Sequence, residues 1–192
     1  MRFTRTRTAK ATAAVVVAVP LALGGLTSQS HAQDASPSPS GTFGSGCSAL
    51  SQKADTAKDK VVEAASAYPQ LSQLVAAVVR AQLGDTLDGK PDITLFAPDQ
   101  QAFEDMKASQ LTSLLNDQEQ LQKVLTYHVV DKRITPDQLS NGSFTTLEGG
   151  KLTTSGSGTD FKVNGDTNIV CGNIKAANAT IYVIDGVLQP PS

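Results

Sequence analysis

Asp92-Ile93-Thr94-Leu95-Phe96-Ala97-Pro98-Asp99-Gln100-Gln101-Ala102-Phe103 is the stretch on which the fold turns. Ile93 to Phe96 are apolar or β-branched and predict a buried strand. Pro98 has no N–H to give to a ladder, so the strand is expected to stop there. Asp99 then offers a carboxylate to the free N–H groups of a new helical turn. Phe103 lies four residues on, where a helix points back to the core. Strand, stop, cap and helix follow one another with almost no slack.

Working outward, residues 1–32 predict an export signal. Arg2, Arg5, Arg7 and Lys10 form a basic start, Ala11 to Leu26 an apolar run, and Ser30-His31-Ala32 a cleavage site before Gln33. The apolar run is about 15 residues, short of the roughly 20 needed to span a bilayer, so no stable membrane span is expected after cleavage. Loss of those four basic residues changes the net charge from −2 to −6, with 12 basic and 18 acidic residues remaining. With no basic patch, nucleic acid and anionic membrane surfaces are not expected partners. Residues 33–46, with Ser36-Pro37-Ser38-Pro39-Ser40-Gly41, lack apolar area and predict a flexible linker. The remainder, 47–192, suits one domain with one core.

Helical patterns dominate the first half of that domain. Ser48 to Ser66 predicts a modest helix. Leu71, Leu74, Val75, Val78 and Val79 form one apolar face of a stronger one, with Gly84 as its expected cap and Asp85 to Pro91 as a loop. Ser109 is expected to cap one short helix, and Asp117, with Gln120 three residues on, another. Tyr127 to Val130 predicts a strand, and Thr135-Pro136 a short helical turn. From Asn141 onward the pattern is β, with strands expected at 144–147, 151–154, 160–163, 168–171 and 180–188. Gly149-Gly150, Gly156 to Gly158 and Asn164-Gly165 are the expected turns. Helices first and strands later predict an α+β fold with a mostly antiparallel sheet.

Leu95-Phe96-Ala97-Pro98 with Ala102-Phe103 resembles the first signature motif of fasciclin domains. Leu125-Thr126-Tyr127-His128-Val129-Val130 resembles the second, and Ile181 to Leu188 followed by Pro190-Pro191 the closing strand. Three motifs in order identify the chain as a member of that family. It is most similar to the small secreted immunogenic fasciclin proteins of mycobacteria and their relatives. The resemblance implies a single domain with helices packed around a β wedge or sandwich, and Phe96, Ala97, Pro98, Asp99, Phe103 and Asp185 as fold-signature residues. It implies cell adhesion or interaction with an extracellular matrix or cell-surface protein or glycan, without catalysis. It also implies that Tyr127-His128 serves either binding or the fold. The protein is expected to be a monomer, secreted or associated with the cell wall. At Asp99-Gln100 the family more often has Thr-Asn, but Asp caps a helix equally well.

The chemistry-bearing residues are few. Cys47 and Cys171 are the only cysteines, and in an exported protein they predict a disulfide. Two free thiols, or pairing between chains, are the alternatives. After cleavage His128 is the one histidine, so no metal or cofactor site is expected. A hydrolase would have to use His128, yet no Gly-x-Ser-x-Gly elbow is present. A hydroxyl beside His128 would favour that rival function. An enclosed apolar cavity would favour a second rival, a carrier of an apolar small molecule or lipid. Adjacent Glu104 and Asp105 diverge on a helix and cannot act as an acid–base pair.

Overall fold

The computed structural model describes residues 41–50 and 56–191. The expected export signal and linker residues 33–40 lie outside the described residues. Beside 3-10 turns at Pro69–Leu71 and Pro136–Leu139, seven short α-helices are seen among them: α1 (Cys47–Leu50), α2 (Val61–Ser66), α3 (Ser72–Arg80), α4 (Gly84–Gly89), α5 (Gln100–Glu104), α6 (Ala108–Asn116) and α7 (Gln118–Tyr127). The strands are β1 (Ile93–Pro98), β2 (Val129–Val130), β3 (Asn141–Thr145), β4 (Lys151–Ser157), β5 (Asp160–Val163), β6 (Thr167–Lys175) and β7 (Ala179–Ile184). They form one sheet in the order β2-β1-β7-β6-β5-β4-β3. Only β1 and β7 run parallel; the other pairs are antiparallel. The sheet curls until its edges meet, where Val130 bridges Thr146 and the Leu147 N–H donates to the Val129 carbonyl at 2.7 Å. The fold is therefore the helix-covered, mostly antiparallel α+β architecture expected.

Strand alternation divides the core in two. Ile93, Leu95 and Ala97 of β1, with Ala179, Ile181 and Val183 of β7, face α2, α3, α4 and α7. Phe96, Tyr182 and Ile184 point the other way, into the inside of the curled sheet. There Phe96 stacks on Tyr182 with ring centroids 5.6 Å apart, and Phe43 meets Phe161 edge-on at 5.3 Å. The Tyr182 hydroxyl donates to the Ile134 carbonyl at 2.9 Å. The packed domain thus begins before Cys47. Phe43 exchanges main-chain hydrogen bonds with Gly172 and its ring lies against that glycine, where any side chain would collide with it. Residues 43–46 belong to the domain rather than to the linker.

The β1 corner is built as its residues dictate, with one correction. Pro98 does not end the strand before its own position but occupies its last place, in register with Ile184. The Phe96 N–H bonds to the His128 carbonyl, whereas the Ile93 and Asp99 N–H groups bond toward β7. Even-numbered residues of β1 therefore face β2, which has no residue opposite position 98, and the missing N–H of Pro98 costs nothing. The Asp99 carboxylate accepts from the Ala102 N–H at 2.8 Å and starts α5. Phe103 is buried.

Other expectations shift. Gly84 does not cap α3 but begins α4, the expected loop being helical. The cap is at Gln82, which has φ 56°. Its N–H reaches Val79 and that of Leu83 reaches Val78, the paired bonds of a left-handed helix terminus formed without glycine. Val79 lies off the buried face and is 65% exposed, while Ala77 and Ala81 take up the packing. α6 starts at Ala108 after Lys107 rather than behind a Ser109 cap. The Asp117 carboxylate accepts from the N–H groups of Glu119 and Gln120. The reciprocal capping box occurs instead between Thr135 and Gln138. Gly156 lies inside β4, and the turn to β5 falls at Gly158-Thr159.

Candidate functional site

Tyr127 and His128 are not on a strand. α7 runs through Tyr127, His128 is its C-terminal cap with helical φ and ψ, and only Val129-Val130 is extended. Leu121, Val124, Leu125 and His128 fall at i, i+3, i+4 and i+7, so the histidine completes the buried stripe of the helix. His128 has no exposed surface, and Tyr127 is 2% exposed. His128 Nδ1 lies 2.7 Å from the Val124 carbonyl, and the Leu188 N–H donates to Nε2 at 3.0 Å. Because Leu188 can only donate, Nε2 must be the bare nitrogen and Nδ1 must carry the proton. Both nitrogens are thus occupied by main chain. Burial pushes the imidazole pKa down to about 4 against a smaller upward pull from the Val124 carbonyl. The ring ties the end of α7 to the segment after β7.

The Tyr127 hydroxyl donates to the Lys151 carbonyl at 2.8 Å and accepts from the Asn164 side-chain amide at 3.0 Å. The Tyr-His pair therefore holds three parts of the fold together from within: β4, the β5–β6 turn and the C-terminal segment. Asp185, likewise, grips β6 by accepting from the Asn168 N–H and side-chain amide, each at 2.7 Å. Burial and the nearby Asp185 charge raise the Asp99 carboxyl above its ordinary pKa, against the opposing bond from Ala102. Cys47 and Cys171 form a disulfide with Cα atoms 4.8 Å apart, closing a separation of 124 residues. It fastens α1 to β6. Ala97, Pro98, Asp99 and Phe103 are gathered at the β1 corner, and Phe96 of the same strand shares the inner core with Tyr127.

Asn178, part of an Asn-Ala-Thr sequon, has its side chain fully used. Its oxygen accepts from the Val61 N–H, and its amide donates to the Leu87 and Lys90 carbonyls, each at 2.9 Å. It joins α2, α4 and the start of β7, a role that sequence reasoning did not assign.

Surface concavities lie elsewhere. One is an open cleft of about 740 Å³ where the sheet edges meet, lined by Thr86, Lys90, Thr126, Val130 to Lys132 and Ser143 to Leu147. Beneath the segment after β2 lies Thr94. That buried hydroxyl donates to the Lys132 carbonyl at 2.7 Å and accepts from the Ile134 N–H at 2.8 Å. The chain is drawn across β1 immediately after β2, leaving β3 without a neighbour beyond the seam. Asp131 pairs with Lys90 at 3.3 Å, and the Lys132 ammonium sits 4.7 Å over the Phe144 ring. A second opening, about 330 Å³, is a groove between α3, α5 and α6 lined by Ala76, Ala77, Phe103, Leu111 and Leu115, with Gln73 and Arg80 at its rim. It is a surface groove and not the enclosed cavity that a carrier would favour. No group of three or more metal-ligating side chains occurs among the described residues, nor a helix long and apolar enough to cross a membrane.

A curled sheet covered by helices, with the Tyr-His pair locked inside and a disulfide across it, defines the class, and comparison with known proteins agrees. The family model described as "Fasciclin domain" matches residues 69–190. The chain is 37% identical over 184 residues to "Immunogenic protein MPB70" of Mycobacterium bovis, covering 93% of this chain and 90% of that one. It is 40% identical over 144 residues to "Cell surface glycolipoprotein MPB83" of the same species, covering 72% of this chain and 64% of that one. "Protein sll1483" of Synechocystis is 38% identical over 144 residues, covering 74% and 79%. Among solved structures, the domain pair from the insect cell adhesion molecule fasciclin I superposes with TM-score 0.53 at 17% identity, over 64% of this chain and 46% of that one. The chain belongs to the fasciclin domain family.

Proposed function

We propose that this chain is an exported, non-catalytic domain that acts by binding, mediating adhesion or contact with a cell-surface or matrix protein or glycan. The observation that carries the proposal is the state of His128. The one histidine among the described residues has both ring nitrogens engaged by main chain and no access to solvent. That arrangement leaves no poised base for a hydrolase and directs attention to the surface. The names of relatives support the same class: one is a cell-surface glycolipoprotein, and one structural neighbour comes from a cell adhesion molecule. The disulfide suits an oxidising, extracytoplasmic setting. On this reading Tyr127 and His128 contribute by holding the scaffold rather than by touching the partner. The test is capture of the purified chain by matrix proteins, cell-wall glycans and whole cells, beside the same chain reduced and unfolded. Saturable binding by the folded chain alone is expected. Equal retention of both forms, or of neither, would sink the proposal.

A further inference from the structure

The cleft at the sheet seam has a feature beyond its volume: one wall is an unpaired strand edge. The Gly156 N–H bonds to the Ser140 carbonyl, and the Thr146 N–H bonds to that of Gly150. Alternate residues of an antiparallel strand face the same neighbour, so Gly142 and Phe144 also face β4. Asn141, Ser143 and Thr145 turn their N–H and C=O groups the other way, toward the seam. Across the seam Val130 bridges Thr146 and the Leu147 N–H still reaches Val129, but among the described residues no strand pairs with the outward side of Asn141 and Ser143. Both residues are exposed. Such an edge is a template for a further strand.

The opposite wall supplies charge. Lys90 is neutralised by Asp131, whereas Lys132 has the Phe144 ring beneath it and no carboxylate partner among the described ion pairs. Its ammonium donors remain available, since a ring face takes up the charge without accepting them conventionally. Thr86, Thr126, Ser143 and Thr145 line the space between, the Thr126 hydroxyl being donated back to the Gln122 carbonyl of its own helix.

We propose that the seam cleft receives an extended, acidic segment of a partner protein, which adds to the open edge of β3 as a strand while its carboxylates meet Lys132. The inference deepens the binding function proposed above and rests on it. Unpaired main-chain donors and acceptors at strand spacing suit a peptide, which alone carries the matching repeat. An acidic polysaccharide would use the lysine and hydroxyls but not the edge.

The test is titration of the isotope-labelled chain, followed by amide chemical shifts, with a capped peptide of alternating glutamate and valine. Comparison probes are its lysine-for-glutamate counterpart, the acidic peptide N-methylated at alternate residues, and polygalacturonate. The acidic peptide is expected to shift the amides of Asn141 to Thr145 and of Lys132. Charge reversal or N-methylation of the peptide, Ser143→Pro and Lys132→Glu are each expected to weaken it at least about tenfold. Ser143→Pro removes an outward N–H and no internal bond; should it fail to fold, the N-methylated peptide on the unaltered chain decides. No shifts in the cleft, affinity indifferent to N-methylation, or polygalacturonate binding there in place of the peptide would overturn the proposal. Cell or matrix binding that survives Ser143→Pro and Lys132→Glu would overturn strand addition while leaving the adhesive function intact. Peptide binding without cell binding would support strand addition and refute adhesion.

Discussion

His128 makes this fold sensitive to acid within a defined window. In the folded chain the ring is neutral, donating to Val124 and accepting from Leu188. Protonation would set an N–H against the Leu188 N–H and leave a charge without solvent. The folded pKa is lowered from 6.5 to about 4, so the unfolded chain binds the proton more readily. Stability is then fully present above about pH 6.5 and is lost progressively as pH falls toward 4. At 1.36 kcal/mol per unit, a depression of that size corresponds to about 3 kcal/mol lost between pH 8 and pH 4. That is a large share of the stability of a small domain. The assay is urea denaturation at pH 8, 6 and 4 of the native chain and of His128→Gln. The variant is less stable at pH 8, but its profile lacks the His128 component, so the two curves converge toward pH 4. Parallel curves, or an imidazole titrating near 6.5 by NMR in the folded chain, would refute the reasoning.

Reduction of Cys47–Cys171 is expected to lower the melting temperature without abolishing folding, the chain-entropy model allowing up to roughly 5 kcal/mol for so long a loop; an unchanged melting temperature would discount the bridge as a stabiliser. Phe96→Ala removes a ring stacked on Tyr182 in the sheet interior and should cost roughly 3–5 kcal/mol in denaturant unfolding. A loss under about 1 kcal/mol would contradict its placement. Asn178→Ala orphans the Val61 N–H and the Leu87 and Lys90 carbonyls together, and about 2–4 kcal/mol of destabilisation is expected. An effect within about 0.5 kcal/mol would show that water replaces the side chain freely.

The β1 corner was legible because each of its residues has a local physical meaning: β-branched strand, proline, aspartate cap, core phenylalanine. The disulfide was legible from cysteine number and an expected export signal. Tyr127-His128 was not, because the β-branched Val129-Val130 that follows suggests a strand reaching back through it. The contrary signal was present in the helical spacing of Leu121, Val124, Leu125 and His128. The α3 terminus was obscured because a glutamine, not the nearby glycine, takes the left-handed position. Asn178 and Thr94 organise distant segments through single polar side chains, which leave no periodic pattern. The seam cleft depends on where two sheet edges meet, a long-range property that no local window contains.

The central claim is that recognition belongs to the surface while the Tyr127-His128 pair serves the scaffold. Its most direct test is cell and matrix binding of the native chain and of His128→Ala, each expressed per folded molecule after melting curves fix the folded fraction. Equal binding per folded molecule is the predicted result. Loss of binding by a variant that keeps its melting temperature would make His128 a recognition residue and contradict the account.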